Sequence, residues 1–169
     1  YSFDPTKTLP NFGNGGAVVT NDQDIIHAVR MLRRHNWVDM HVGGNSVMSE
    51  RDCAELLVKL DYFDTWTKRR QELAEFYIQE LKDYVRVITD PQGMVSKFVI
   101  ASNYRDDLRT SMSHKGIQSK EVYSNALADL PQAKQNCDTF LTIPCDSFTT
   151  DEEVQIVIRA IREFYETGI

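Results

Sequence analysis

The apolar positions of this chain change their spacing several times, and each change marks an element. Toward the end, Val154, Val157, Ile158, Ile161, Phe164 and Tyr165 recur every three or four residues. That interval lines one face of an α-helix. Thr150-Asp151-Glu152-Glu153 opens the run as a capping box, and Gly168 stands past its end as a stop. The same interval in Leu73, Phe76, Tyr77 and Leu81 predicts a long helix from about Tyr62 to Asp83, with Lys68, Arg69 and Arg70 toward solvent. Ser49, with Asp52 three residues on, caps a shorter helix reaching about Leu60, with Cys53, Leu57 and Leu60 on one face. Asn21 or Asp22 caps another, which runs to about Arg34 over a stripe of Ile25, Val29 and Leu32.

Between these helices the pattern reads as extended chain. Gly16 to Thr20 predicts a short strand. Val85 to Ile88 alternates, Asp90-Pro91-Gln92-Gly93 is a turn, and Met94 to Ala101 is a second strand. A helix starts near Asp106 and ends at Lys115-Gly116, and Ile117 to Tyr123 returns as a strand. Leu130 to Cys137 reads as a short helix with Pro131 in its first turn, followed by a strand from Phe140 to Ile143. Trp37 to Ser49 is a loop that bends at Gly43-Gly44. The result is an α/β chain whose pattern changes near Tyr84, dividing it into residues 1–83 and 84–169.

Composition narrows the classes. The 169 residues suffice for a core, and a net charge of −6 argues against a nucleic-acid-binding face. No apolar run approaches the length of a membrane span, and the start is no signal peptide, so the cytoplasm is the default compartment. Cys53, Cys137 and Cys145 are odd in number and scattered, which fits reduced thiols, and no metal-ligand spacing occurs.

The candidate chemistry lies in the first twenty residues. Lys7 follows Ser2 by five positions and stands among proline, threonine and aromatic residues, with no basic neighbour within three. Such a lysine suits attack on an aldehyde to form a Schiff base. Ser2 can offer a hydroxyl to a phosphate. Phe12-Gly13-Asn14-Gly15-Gly16 can turn the backbone sharply before Ala17-Val18-Val19. Residue chemistry alone leaves two readings open: this one, and a hairpin with an incidental lysine.

Ser2-Phe3-x-Pro5-Thr6-Lys7-x-Leu9, then Gly13-x-Gly15-Gly16-Ala17-Val18-Val19-Thr20, resembles the cofactor-lysine segment of the DegT/DnrJ/EryC1/StrS sugar aminotransferases. These are fold-type-I enzymes dependent on pyridoxal 5′-phosphate. The resemblance implies the end of a large cofactor domain with connecting helices in residues 1–83, and a small C-terminal α/β domain in 84–169. It implies that Lys7 holds the cofactor, that Ser2 donates to its phosphate, and that Asn45 reaches the phosphate of a neighbouring subunit in a homodimer. The implied substrates are an amino acid, glutamate first, and a keto-sugar carried on a nucleotide. Dehydrating relatives carry histidine in place of the lysine, so Lys7 favours amino transfer.

The resemblance covers the second half of the family's pattern. The first half supplies the carboxylate that pairs with the pyridine nitrogen, so the chain reads as part of a longer protein or as a truncated product. Val47, Ser49 and Val122 depart from the pattern, Ser49 at the place of a common acidic residue. Asn45-Ser46-Val47-Met48-Ser49-Glu50 stands where the family has Asn-x-Arg-Met-x-Glu, so Val47 replaces an arginine. Gly116-Ile117-Gln118-Ser119-Lys120-Glu121-Val122-Tyr123 stands where it has Gly-Ile-x-Thr-x-x-His-Tyr, so Val122 replaces a histidine. These departures keep two rivals in view: a non-catalytic structural or interaction module, and an enzyme of the same fold with a substrate other than a nucleotide sugar. His35, in Arg33-Arg34-His35-Asn36, reads as a packing or capping residue.

Overall fold

A computed structural model describes residues 1–36 and 43–167. It divides into two compact units, Tyr1–Asp64 and Thr65–Ile169.

In the first unit, α1 spans Gln23–Leu32 and is capped by the Asp22 carboxylate, which accepts from the N–H groups of Asp24 and Ile25. These bonds satisfy donors that have no partner within a first helical turn. The helix ends without a glycine. His35 and Asn36 take positive φ of 65° and 49°, and Asn36 N–H donates back to the Met31 carbonyl at 3.0 Å. His35 thus serves the helix end, where asparagine and histidine tolerate the left-handed region better than most residues.

Three expectations change here. Ile25 and Leu32 are exposed rather than buried, and so are Cys53, Leu57 and Leu60; Leu56 is the buried position on that stretch. An amphipathic stripe shows which face can be covered, but a covering surface must come from elsewhere in the fold. The strand expected at Gly16–Thr20 reduces to a single antiparallel bridge between Ser2 and Gly16, because Val18 and Val19 have no neighbouring strand among the described residues. Of the loop expected at 37–49, residues 37–42 lie outside the described residues, as does Gly168.

The two helices expected at Ser49–Leu60 and Tyr62–Asp83 are one, α2, Glu50–Leu81. Asp61-Tyr62 contains neither glycine nor proline, so nothing stops the hydrogen-bond ladder once it has formed. Ser49 caps it as expected: Asp52 N–H donates to Ser49 Oγ at 3.1 Å. The division between units falls within α2. The change of pattern placed a boundary at 83/84, whereas Leu73, Ala74, Tyr77 and Leu81 belong to the core of the second unit.

That core rests on a four-stranded antiparallel sheet, ordered β1-β2-β4-β3. The strands are β1 Arg86–Val87, β2 Phe98–Ala101, β3 Lys120–Glu121 and β4 Phe140–Ile143. Phe98 pairs with Ile143 and Ile100 with Leu141, and all four side chains are buried, so one sheet face carries a continuous apolar layer. Edge strands β1 and β3 are shorter than the pattern at 85–88 and 117–123 predicts. Helices α3, Arg105–His114, and α5, Asp151–Glu166, pack on each other and contribute Leu108, Met112, Val154, Val157, Ile158 and Ile161. The fourth helix, α4, Pro131–Thr139, buries none of its residues. Gly116 follows α3 with φ of 75°, a conformation that ends helices and suits glycine.

Two basic side chains depart from expectation. Arg69 and Arg70 are half-buried rather than solvated. Arg69 Nη2 donates to the Thr149 carbonyl at 3.0 Å and pairs with Asp151 at 2.6 Å, while Arg70 Nη1 donates to the Cys145 carbonyl at 3.1 Å. Their forked donors hold the segment between β4 and α5, which has few strand or helix partners of its own. Lys68 remains exposed.

Candidate functional site

Lys7 stands at the end of a β-turn. Its N–H donates to the Asp4 carbonyl at 2.9 Å, and Pro5 occupies the second turn position, where its fixed φ is favourable. Asp4 closes the turn a second time. Its Oδ1 accepts from the Thr6 N–H at 2.8 Å and from the Thr6 hydroxyl at 2.5 Å. These two bonds, the hydroxyl's first, hold the Asp4 carboxyl below its usual range, and the nearby Lys7 charge adds a smaller push in the same direction.

The ends of this loop are pinned by backbone bonds. Phe3 N–H donates to the Gly15 carbonyl and Asn11 N–H to the Phe3 carbonyl, each at 2.8 Å. Ala17 N–H donates to the Tyr1 carbonyl at 3.0 Å, and the Tyr1 ammonium to the Ala17 carbonyl at 2.7 Å. Residues 4–10 therefore leave and rejoin a fixed base, with Lys7 at their middle. A Cβ on Gly16 would stand 2.9 Å from the Tyr1 carbonyl oxygen, so the base closes only with glycine there.

The Lys7 side chain is exposed and makes no ion pair among the described residues. Ser2 is exposed at the loop base, and its Oγ accepts one long contact, 3.4 Å, from Asp4 N–H. Asn45 is exposed in a bridge to Arg34. The described hydrogen bonds join Ser2 and Lys7 through Asp4, and they do not join Asn45 to that loop. Met48, three positions beyond Asn45, does approach it: a Cβ on Gly15 would stand 3.0 Å from Met48 Sδ. Val47 and Tyr123 are exposed and Val122 is half-buried.

Some neighbours of the loop were not evident in the sequence. Lys59 Nζ donates to the Pro10 carbonyl at 2.8 Å, pairs with Glu55 one turn earlier on α2, and lies 4.8 Å from the centre of the Phe12 ring. Asn11 is 2% exposed, and neither its Nδ2 nor its Oδ1 has a partner among the described residues. The available signal for the first was a Glu-Lys pair at i,i+4 flanking Leu56-Leu57-Val58. Nothing local marks Asn11.

A primary amine on a turn, with a hydroxyl at the loop base whose bonding capacity is nearly free, can serve carbonyl and phosphate chemistry. Residues 1–162 match the DegT/DnrJ/EryC1/StrS aminotransferase family. The chain belongs to that family. It is 32% identical to the erythromycin biosynthesis sensory transduction protein EryC1 of Saccharopolyspora erythraea, over 96% of this chain and 50% of that one. It is 30% identical to the dTDP-3-amino-3,4,6-trideoxy-alpha-D-glucose transaminase of Streptomyces venezuelae, over 98% and 50%. The fold is shared with the crystal structure of S. venezuelae DesV in complex with a ketimine intermediate, at a TM-score of 0.90 and 29% identity over 98% of this chain and 50% of that one. This is the architecture of the fold-type-I pyridoxal-phosphate transferases. The chain spans about half the length of the curated relatives it matches.

Pyridoxal 5′-phosphate is the cofactor of this family. The residues present fit it: an unpaired amine on Lys7 for its aldehyde, and the Ser2 hydroxyl for its phosphate, on one pinned loop. No helix among the described residues is long and apolar enough to cross a membrane, and no group of candidate metal ligands occurs among them.

Proposed function

We propose that this chain is the lysine-bearing half of an aminotransferase that moves an amino group from an amino acid, glutamate first, to a keto-sugar carried on a nucleotide. The observation that carries the reading is the family match across residues 1–162 with Lys7 retained at the middle of a pinned, accessible loop. Pyridoxal phosphate, when bound, supplies the electron sink that makes the substrate's C–H bond acidic. Lys7 Nζ holds the cofactor covalently at rest. Once freed from the cofactor, the Lys7 amine would serve as the general base that carries the proton released from the substrate carbon. Ser2 Oγ donates to the cofactor phosphate. Asn45 Nδ2 donates to the phosphate of a partner subunit, so the enzyme works as a homodimer. The working location is the cytoplasm. The residues before α2 complete a large domain, and 84–169 build the small one on the C-terminal part of α2, whose Leu73, Ala74, Tyr77 and Leu81 lie in its core. The ring-nitrogen carboxylate belongs to the family's first half.

Val47 and Val122, in place of an arginine and a histidine, favour a second reading, a relative without catalysis. One experiment separates the two. The native gene product is mixed with pyridoxal phosphate, reduced with borohydride and digested. The expected result is the reduced cofactor's mass on the Lys7 peptide, absent from Lys7→Ala. Label on no peptide, or on another lysine, overturns the enzymatic reading. A panel of amino donors and nucleotide keto-sugars then tests the substrates.

A further inference from the structure

We propose that Lys59 is a positioning residue that fixes the return arm of the Lys7 loop, with Glu55 as its counter-charge. This rests on the reading of Lys7 as the cofactor lysine. The outgoing arm, Asp4 to Lys7, is tied internally by the Asp4–Thr6 bonds and the Lys7–Asp4 turn. The return arm, Thr8 to Pro10, has no comparable ties. Pro10 lacks an N–H, and no backbone hydrogen bond of Thr8 or Leu9 occurs among the described residues. Beyond the Asn11 N–H bond that closes the base, its one further hydrogen-bonded tie among the described residues is at the Pro10 carbonyl, where Lys59 Nζ supplies the donor at 2.8 Å. Three features fix that donor in turn. α2 holds its backbone, Glu55 holds its charge from one turn away, and the Phe12 ring faces the ammonium at 4.8 Å.

The pair is largely withdrawn from water, with side-chain exposures of 22% for Lys59 and 14% for Glu55. A charge-assisted bond in that setting holds more firmly than one at the open surface. Pro10 is three residues from Lys7. Loss of the anchor lets the return arm drift and moves the amine that must meet an aldehyde carbon. Misplacement of a reacting group by about 1 Å can cost on the order of 100-fold in rate.

The test uses the native gene product and two readouts. One is the rate at which added pyridoxal phosphate becomes borohydride-trappable on Lys7. The other is hydrogen exchange at the Asn11 amide in cofactor-free protein, since that amide is bonded to the Phe3 carbonyl at the loop base. Lys59→Met with Glu55→Gln removes both charges together and leaves no orphaned carboxylate. Capture is expected to slow by about tenfold or more, within the range misplacement can produce. Asn11 exchange is expected to quicken, and Lys59→Arg, which keeps charge and donor, is expected to restore both. If the double variant does not accumulate as folded protein, Lys59→Leu with Glu55→Gln, which likewise removes the donor and both charges, carries the same measurement. Capture and exchange unchanged from the parent in folded variants would overturn the positioning role and leave the enzymatic reading intact. A parent that captures nothing at Lys7 overturns both.

Discussion

Removing one oxygen from Tyr77 tests the core of the second unit. Its ring is fully buried, with its centre 5.0 Å from that of Phe98, and its hydroxyl donates to the Pro144 carbonyl at 2.8 Å. Tyr77→Phe keeps the ring packing and strands that carbonyl without its donor. An unsatisfied buried acceptor costs about 1–3 kcal/mol, and part is recovered because the variant has no hydroxyl to desolvate. The expected loss near pH 7 is therefore about 1–2 kcal/mol, measured by denaturant unfolding. Burial, first, and then the nearby Cys145, Asp146 and Glu153, raise the Tyr77 phenol above its ordinary value of 10.0. The sign follows from linkage. The folded state favours the neutral phenol, so this contribution is complete below about pH 10 and is lost as pH rises past it, at up to about 1.4 kcal/mol per pH unit. The parent should therefore weaken faster than the variant above pH 10, and the gap between them should narrow. Cys145 and Tyr165 are raised in both proteins and cancel in that comparison. A variant as stable as the parent at pH 7, or a gap constant from pH 8 to 11, would refute this account of Tyr77.

Two further outcomes are expected. Thr150→Ala removes the hydroxyl half of the capping box, in which Glu153 N–H donates to Thr150 Oγ1 at 3.2 Å, and keeps the backbone half, in which the N–H of residue 150 donates to Glu153 Oε2 at 2.8 Å; a cost of about 1 kcal/mol should appear in the unfolding midpoint. Burial pushes the Cys145 thiol up to about 12, so at pH 8 a maleimide should label exposed Cys53 readily and reach Cys145 only after denaturant is added; early modification of Cys145 would contradict its placement in the core.

The loop that carries Lys7 shows how far local chemistry reaches. A turn forms at Asp4, Pro5 and Thr6, residues whose chemistry favours one, whereas the sharp bend was expected only at the glycines after the lysine. Ser2 lies at the base of that loop and Lys7 at its middle. The anchor from Lys59 lies 49 residues from Pro10 in sequence, and no short-range rule pairs a proline carbonyl with that particular lysine. The buried Asn11 amide is equally silent, since an asparagine between proline and phenylalanine reads as loop. Arg69 and Arg70 were assigned to solvent by their position on a helix face, yet they bond carbonyls 75 and 80 residues away.

Periodicity and end signals were sufficient for α5, for α4 and for β4, whose Phe140–Ile143 span is the expected one. Those signals act within a turn or two of chain, through capping bonds and one-sided apolar spacing, so they can be read without knowing what lies opposite. Strand partners, the order β1-β2-β4-β3, and the burial of Leu56 in place of Leu57 or Leu60 depended on surfaces brought together from distant parts of the chain. A stripe says that a face can be covered. Which residues lose their water is settled only when another element arrives to cover them, and a backbone strand exists only where a second strand completes its hydrogen bonds.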